Sequence, residues 1–305
     1  MRRRLIIVAS LIVIGVLIGS FKAWPTIGNI KGKIVLSTQN GLRLTHLDDF
    51  TGKIPTWQVM LESKDEYRYP DWSPDGTRLA MGYLSWEESK PTARGANTFY
   101  KLVIINADGR GLHYLHQGDE NYEYPAWSPD GKFIAFIAYP NWPKERVGQV
   151  CLLNLSTKHL HRISKPTATI ERPTWSFDSR MLAFTSSAHE IVIYHIKDDK
   201  ERVLPVIGWS PLFSPKGNLI FYIQDNEALC SINIDGSNKR IVKRGFFDYI
   251  VKFSRDGRYL LYAGGGSNMI PPGHEYSTLE MLDLEKLKNY RLFKGSLLYG
   301  ASWAE

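Results

Sequence analysis

The stretch Tyr69–Tyr83, YPDWSPDGTRLAMGY, decides the fold because it returns along the chain. Tyr124–Tyr139 reads YPAWSPDGKFIAFIAY and Arg172–Ser187 reads RPTWSFDSRMLAFTSS. Looser copies follow: PLFSPKGNLIFYIQ from Pro211 and VKFSRDGRYLLYAG from Val251. A truncated copy, YGASWAE, runs from Tyr299 to Glu305. The anchor aromatics Trp72, Trp127, Trp175, Phe213, Phe253 and Trp303 are spaced by 55, 48, 38, 40 and 50 residues. A repeat of roughly 40–50 residues is that of propeller blades built from four strands each.

Each unit reads alike. A short strand ends at the aromatic. S-P-D-G then makes a tight turn, because Pro presets φ and Gly accepts positive φ. A second strand follows, such as RLAMGY or FIAFIAY, and a third, such as KLVIINA, QVCLLNL or EIVIYHI. A fourth, LHYLHQ or LHRIS, closes the blade. Residues 33–63 supply KIVLST, LRLTHLDD and WQVMLES but no S-P-D-G phrase, whereas YGASWAE supplies a first strand and stops. The two ends therefore complete one blade, which removes exposed edges. The expectation is an all-β, six-bladed β-propeller over residues 33–305, its N- and C-terminal strands sharing a blade. The chain's 16 prolines and 25 glycines fall largely between short β-rich runs and argue against helices. Asp283–Tyr290 is the one stretch expected to make a helical turn.

The phrase P-x-W-S-P-D-G-x-x-L/I-A-F resembles the repeat of TolB-type propellers, which also occurs in the propellers of prolyl oligopeptidase-like proteins. The resemblance covers roughly residues 33–305 and implies the fold more specifically than any activity. TolB-type proteins carry an α/β domain before the propeller; here about ten residues separate the N-terminal apolar run from the first strand. The peptidase relatives need a G-x-S-x-G elbow, which this chain lacks. Serine hydrolase activity is therefore disfavoured.

Arg2, Arg3 and Arg4 precede Leu5–Phe21, seventeen residues without a charge. As a helix these would be about 25 Å long, the short end of what spans a bilayer. The flanking arginines place the N-terminus in the cytoplasm and the remainder outside. Residues 1–24 are thus expected to be a transmembrane helix acting as signal anchor, and 25–32 a short linker. The alternative is a cleaved signal peptide, leaving a secreted or periplasmic protein, but bulky Phe21 or Ile18 would sit where cleavage prefers a small residue. The net charge is +7 and those three arginines supply part of it. No basic stripe remains, so nucleic acid is not the expected partner. Cys151 and Cys230 lie in apolar runs and read as small core residues, not as a disulfide framework.

Strand order puts the S-P-D-G turns on one face of the propeller. The second-to-third strand loops and the inter-blade connections lie on the other. That second face carries the long insertions, 84–100, 139–148 and 264–277, and long loops on a rigid scaffold concentrate function. The candidate binding residues there are Tyr67, Arg68, Trp86, Tyr122, Glu123, Trp142, Arg146, Glu171, Arg172, Trp209, Asp248, Tyr249, His274 and Tyr299. Tyr, Trp and Arg are enriched in binding hot spots, although an aromatic at a strand entry also serves as packing between blades.

Smaller signals carry less. Asp75, Asp130 and Asp256 read as turn aspartates. His116, His189 and His274 come from three separate blades, and no metal site or cofactor is expected from them. Gly264–Ser267 lacks the Lys and the helix of a phosphate-binding loop. The sequence thus points to a non-catalytic, membrane-tethered extracytoplasmic propeller that docks an envelope or membrane protein, or a peptide, on its loop-rich face. Two alternatives stay open: a binder of carbohydrate or cell-wall fragments, and a metal-dependent lyase or hydrolase using His189 or His274.

Overall fold

The computed structural model describes residues 32–304 apart from 39, 48–54, 90, 93–94, 97–98, 117, 119, 146, 166–171, 265–275 and 297. The expected N-terminal membrane segment lies outside the described residues. Among those described, no helix is long and apolar enough to cross a membrane.

Strands β1 (Lys33–Thr38), β2 (Gly41–His46) and β3 (Gln58–Glu62) open the chain. Blade one is β4 (Glu66–Trp72), β5 (Arg78–Leu84), β8 (Lys101–Asn106) and β9 (His113–His116). Between β5 and β8 lie a single helical turn, α1 (Trp86–Ser89), and a small hairpin, β6 (Pro91–Thr92) with β7 (Gly95–Ala96). Blade two is β10 (Asn121–Trp127), β11 (Phe133–Tyr139), β12 (Gln149–Asn154) and β13 (Leu160–Arg162). Blade three is β14 (Thr174–Trp175), β15 (Met181–Thr185), β16 (Glu190–His195) and β17 (Lys200–Ile207). Blade four is β18 (Trp209–Phe213), β19 (Leu219–Gln224), β20 (Ala228–Asn233) and β21 (Arg240–Arg244). Blade five is β22 (Tyr249–Phe253), β23 (Tyr259–Gly264), β24 (Tyr276–Asp283) and β25 (Lys288–Ser296). The last strand, β26 (Leu298–Ala304), pairs antiparallel with β1 and completes the sixth blade in the order β26-β1-β2-β3.

The first strand of each blade lies innermost. Each touches the next, from β26 to β4 and round to β22, which returns to β26. The ring is closed. The core is distributed accordingly, as six apolar clusters, each filled by the facing sheets of two neighbouring blades. This explains why second and third strands read as continuous apolar runs: sheets covered on both faces bury successive residues. Cys151 and Cys230 are buried in two of these clusters as free thiols.

The S-P-D-G turn owes its recurrence to a hydrogen-bond circuit. Ser73 Oγ donates to Asp75 Oδ1 (2.5 Å) and accepts from the Arg78 N–H (2.9 Å). Asp75 Oδ1 also accepts from the Thr77 N–H (3.0 Å), and the Gly76 N–H closes on Ser73 O (2.8 Å). Ser128 with Asp130, Ser176 with Asp178, and Ser254 with Asp256 repeat it. The turn aspartates are structural, as their chemistry indicates. Blade four breaks the circuit, because Lys216 occupies the aspartate position and the buried Ser214 hydroxyl has no hydrogen-bond partner.

The inner strands also carry a bulge three residues before the anchor aromatic. Tyr69 (φ 54°), Tyr124 (φ 57°), Ser210 (φ 54°) and Gly300 (φ 146°) take left-handed conformations there. Pairing shifts register at Arg68/Asp71, Glu123/Ala126 and Trp209/Leu212. Pro70, Pro125 and Pro211 follow directly. Proline has no N–H for the ladder, and a bulge is where a strand tolerates that.

One expectation is corrected. Asp283–Tyr290 does not form a helical turn; it is the hairpin between β24 and β25, with Asp283 paired to Lys288. Asp283 Oδ1 accepts from the N–H groups of Glu285 (3.0 Å) and Lys286 (3.1 Å), and Leu287 adopts φ 50°. The Asp side chain competes successfully for the backbone that a helix would need.

Three outcomes follow from this architecture. Lys216→Asp supplies the missing acceptor to Ser214 and raises stability by about 1 kcal/mol, read as a higher urea midpoint with unchanged slope. Trp303→Ala empties a site that is 1% exposed in the closing blade, costing about 3–5 kcal/mol by the same measurement. The Ser73 hydroxyl, with the Thr77 amide, pulls Asp75 down to about 2. A carboxyl lowered on folding stabilises above its unfolded value near 4 and loses that contribution as pH falls toward 2. Asp75→Asn should therefore flatten the decline of thermal midpoint between pH 4 and 2.

Candidate functional site

The six inner strands surround an axial channel, whose mouth on the face of the S-P-D-G turns is concave. There a cavity of about 550 Å³ draws its lining from every blade. Its wall holds the anchors Trp72, Trp127, Trp175, Phe213, Phe253 and Trp303, and its rim the turn residues Pro74, Pro129, Phe177, Pro215 and Arg255. At its floor stand residues preceding the anchors: Asp71, Ala126, Thr174, Leu212 and Lys252, with Arg172 beside them.

A polar girdle crosses the channel at this level. Arg172 Nη2 donates to Pro70 O (2.8 Å), and Nη1 lies 3.5 Å from Asp71 Oδ1. Asp71 Oδ1 accepts from Ser302 Oγ (3.1 Å) and Oδ2 from the Trp127 N–H (2.8 Å). Ser302 Oγ in turn accepts from the Trp72 N–H (3.2 Å). Blades one, two, three and six are thus tied across the axis. On the entry side of the girdle the rings of Tyr69 and Tyr124 stack with centroids 3.9 Å apart. Burial pushes the Tyr124 phenol well up, helped by its Tyr69 and Glu123 neighbours. Burial likewise raises the Tyr249 phenol, whose hydroxyl is buried without a hydrogen-bond partner. No residue from this aromatic layer lines the cavity. The cavity is a cup open toward the turns.

The residues expected on the loop-rich face stand in different environments. Tyr67 and Tyr122 are buried between blades, in the clusters that join blade one to its neighbours. Glu123 is buried and accepts from Asn121 Nδ2 (2.8 Å). Arg68 is half-buried, pairing with Glu66 (2.9 Å) over the Tyr100 ring (4.7 Å). Burial, then the hydrogen bond to Glu66, raises Tyr100. Trp142 packs against Tyr139, and Trp209 against His189, each half-buried. Asp248 is half-buried, and Trp86 is 47% exposed. Arg146, Glu171 and His274 lie outside the described residues, as does the side chain of Tyr299 in β26. Arg172 and Tyr249 stand at the channel axis. The expected set is therefore divided among blade junctions, the channel and a rim.

The cup's own residues Phe177, Lys252 and Arg255 were not singled out from the sequence, yet two carry a legible signal. Phe177 and Arg255 interrupt the prolines of the repeat: S-F-D-S at 176–179 and S-R-D-G at 254–257. Phe177 is 54% exposed. Its turn also replaces Gly with Ser179, held at φ 60°, and the Ser179 hydroxyl accepts from the Asp130 N–H of the neighbouring blade (3.0 Å). Among the described residues no cluster of three His, Cys, Asp or Glu side chains could hold a metal ion.

Comparison with known proteins agrees with this geometry. A family model described as the TolB beta propeller domain matches residues 91–269. The Tol-Pal system protein TolB of Wigglesworthia glossinidia brevipalpis is 31% identical over 120 residues, 38% of this chain and 24% of that protein. That of Hahella chejuensis is 38% identical over 63 residues, 21% of this chain and 13% of that protein. The matched stretches thus span a quarter of these relatives or less. The structure of TolB from Acinetobacter baumannii superimposes with a TM-score of 0.68 at 19% identity, over 90% of this chain and 66% of that one. Putative TolB from Agrobacterium tumefaciens gives 0.65 at 16%, over 90% and 92%. An oligogalacturonate lyase in complex with manganese gives 0.52 at 13%, over 87% and 74%. At such identities these likenesses show the fold alone. With its repeat, its ring and the family match, the chain belongs to the TolB β-propeller domain family.

Proposed function

We propose that this protein is a non-catalytic, extracytoplasmic binding propeller, a scaffold in the cell envelope that docks a segment of another envelope protein in its axial cup. The observation that carries the reading is the cup itself, a cavity of about 550 Å³ lined by residues of all six blades. Its size falls within the range of pockets that bury a ligand. The naming of relatives as Tol-Pal system proteins supports an envelope role. In this reading residues 5–21 tether the propeller to the membrane, which raises its effective concentration toward membrane neighbours.

A second reading keeps the contact on the loop-rich face, at Arg68, Trp86, Trp142, Trp209 and Asp248. Exposed Trp86 favours it. Cross-linking in intact cells separates the two. A photoreactive phenylalanine analogue at position 177 of the full chain should capture a discrete envelope protein, and the same analogue at position 86 should not. Capture from position 86 alone, lost in a Trp142→Ala/Trp209→Ala variant, would move the site to the loop-rich face. No capture from either position would sink the scaffold reading.

A further inference from the structure

A polar girdle crosses the floor of the cup and a lysine stands beside it, and together they restrict what can enter. We propose that it receives the C-terminal tail of a protein partner, with the Lys252 ammonium binding the terminal carboxylate; this rests on the reading of the cup as the docking site.

The closure comes first. The lining stops at Asp71, Ala126, Leu212 and Trp303, two or three residues past the bulges, and at Arg172 and Val251 in blades three and five. Beyond that level lie the girdle of Arg172, Asp71 and Ser302 and the stacked rings of Tyr69 and Tyr124. A polypeptide entering from the turn face meets that girdle, which favours a chain end or the apex of a loop over a segment threaded through.

The charge then selects the kind of end. Of the floor residues, Asp71 is satisfied by the Trp127 N–H, the Ser302 hydroxyl and Arg172. The rim carboxylates are engaged as well: Asp130 by Ser128 and the Lys132 N–H, Asp178 by Ser176 and the Arg180 N–H. Lys252 is half-buried in the cavity lining and, among the described residues, its ammonium makes no hydrogen bond or ion pair. A lysine in an aromatic cup with no partner attracts an anion and repels a chain's N-terminal ammonium. A terminal carboxylate meets it with charge-assisted hydrogen bonds, a recognised mode of peptide capture. Arg255, three residues on, adds a second cation at the mouth.

The repeat's departures fit the same occupant. Phe177 stands where three other blades have Pro74, Pro129 and Pro215, and its turn forgoes both the proline and the glycine that favour it. What the turn gains is an exposed ring at the rim, placed to cover the apolar side chains that precede a terminal carboxylate.

The test uses the full chain in mild detergent with fluorescein-labelled octapeptides whose last four residues are randomised. One pool is made as free acids and a second as C-terminal amides. The free acids should bind at least about tenfold more tightly than the amides, as expected for a hydrogen bond to a charged group. Lys252→Met should erase that ratio without changing the thermal midpoint, Lys252→Arg should retain it, and Phe177→Ser should weaken both pools alike. Equal binding of acids and amides would overturn the C-terminal assignment in favour of a loop or internal acidic segment, while cross-linking from position 177 would still stand. An acid preference that survives Lys252→Met would overturn the role of Lys252. Failure of both pools to bind would overturn the inference. The parent reading fails separately, when position 177 captures no protein in cells.

Discussion

The pairing of β1 with β26 is the constraint on which the molecule depends. Lys33 lies opposite Ala304 and Ile34 opposite Trp303, the two ends of the propeller hydrogen-bonded in one sheet. Each of the other blades closes its sheet within a few tens of residues, but blade six must bring together strands from opposite ends of the domain. The loop-closure cost of doing so grows only logarithmically with length. It is offset because two inter-blade clusters form when the blade is complete, one with blade one and one with blade five. The clasp is reinforced where it meets blade one, since Lys33 Nζ donates to Gly76 O (2.5 Å) and lies 4.4 Å from the Trp72 ring centroid. Without that pairing neither the girdle nor the cup exists, because Ser302 and Trp303 belong to both.

Much of this was readable. The anchor aromatics gave the blade number, because each occupies an equivalent place in a rigid, repeated unit. The end-sharing blade was readable because residues 33–63 supply three strands without an S-P-D-G phrase, while Tyr299–Ala304 repeats the first-strand phrase. What misled was local preference. Leu284, Glu285, Lys286 and Leu287 are good helix formers, yet Asp283 ties their amides into a hairpin turn, and the ladder from Tyr276 to Ser296 overrides propensity. The bulges were present in the sequence as Pro70, Pro125 and Pro211 within inner strands, but a proline reports only that ladder pairing is relaxed, not which way the next side chain points.

The candidate site was legible only in part, for a geometric reason. Loop length and aromatic content can be read along the chain, and they direct attention to the face with insertions. A cup on a symmetry axis takes one or two residues from each of six segments, and nothing local announces that Lys252, Arg172 and Phe177 share a cavity. Several entry residues of the loop-rich face, Tyr67 and Tyr122 among them, are spent on packing between blades. Their identity as aromatics is equally explained by that role.

The deviations from the repeat are therefore the more informative signal. A repeat protein sets its own reference: where blades agree, the shared residue answers a shared structural demand, as Ser and Asp do in the turn circuit. Where one blade departs, either the demand is unmet or something else is gained. Lys216 is of the first kind, since Ser214 is left without an acceptor and the lysine does not line the cup. Phe177 is of the second kind. Its turn keeps the Ser176–Asp178 circuit, holds Ser179 left-handed by an acceptor role to blade two, and places an apolar ring half in water beside an aromatic cavity. An uncompensated loss calls for no function, whereas a departure that preserves the turn while exposing a phenyl ring at the mouth of the cup is the one that the proposed docking site draws on.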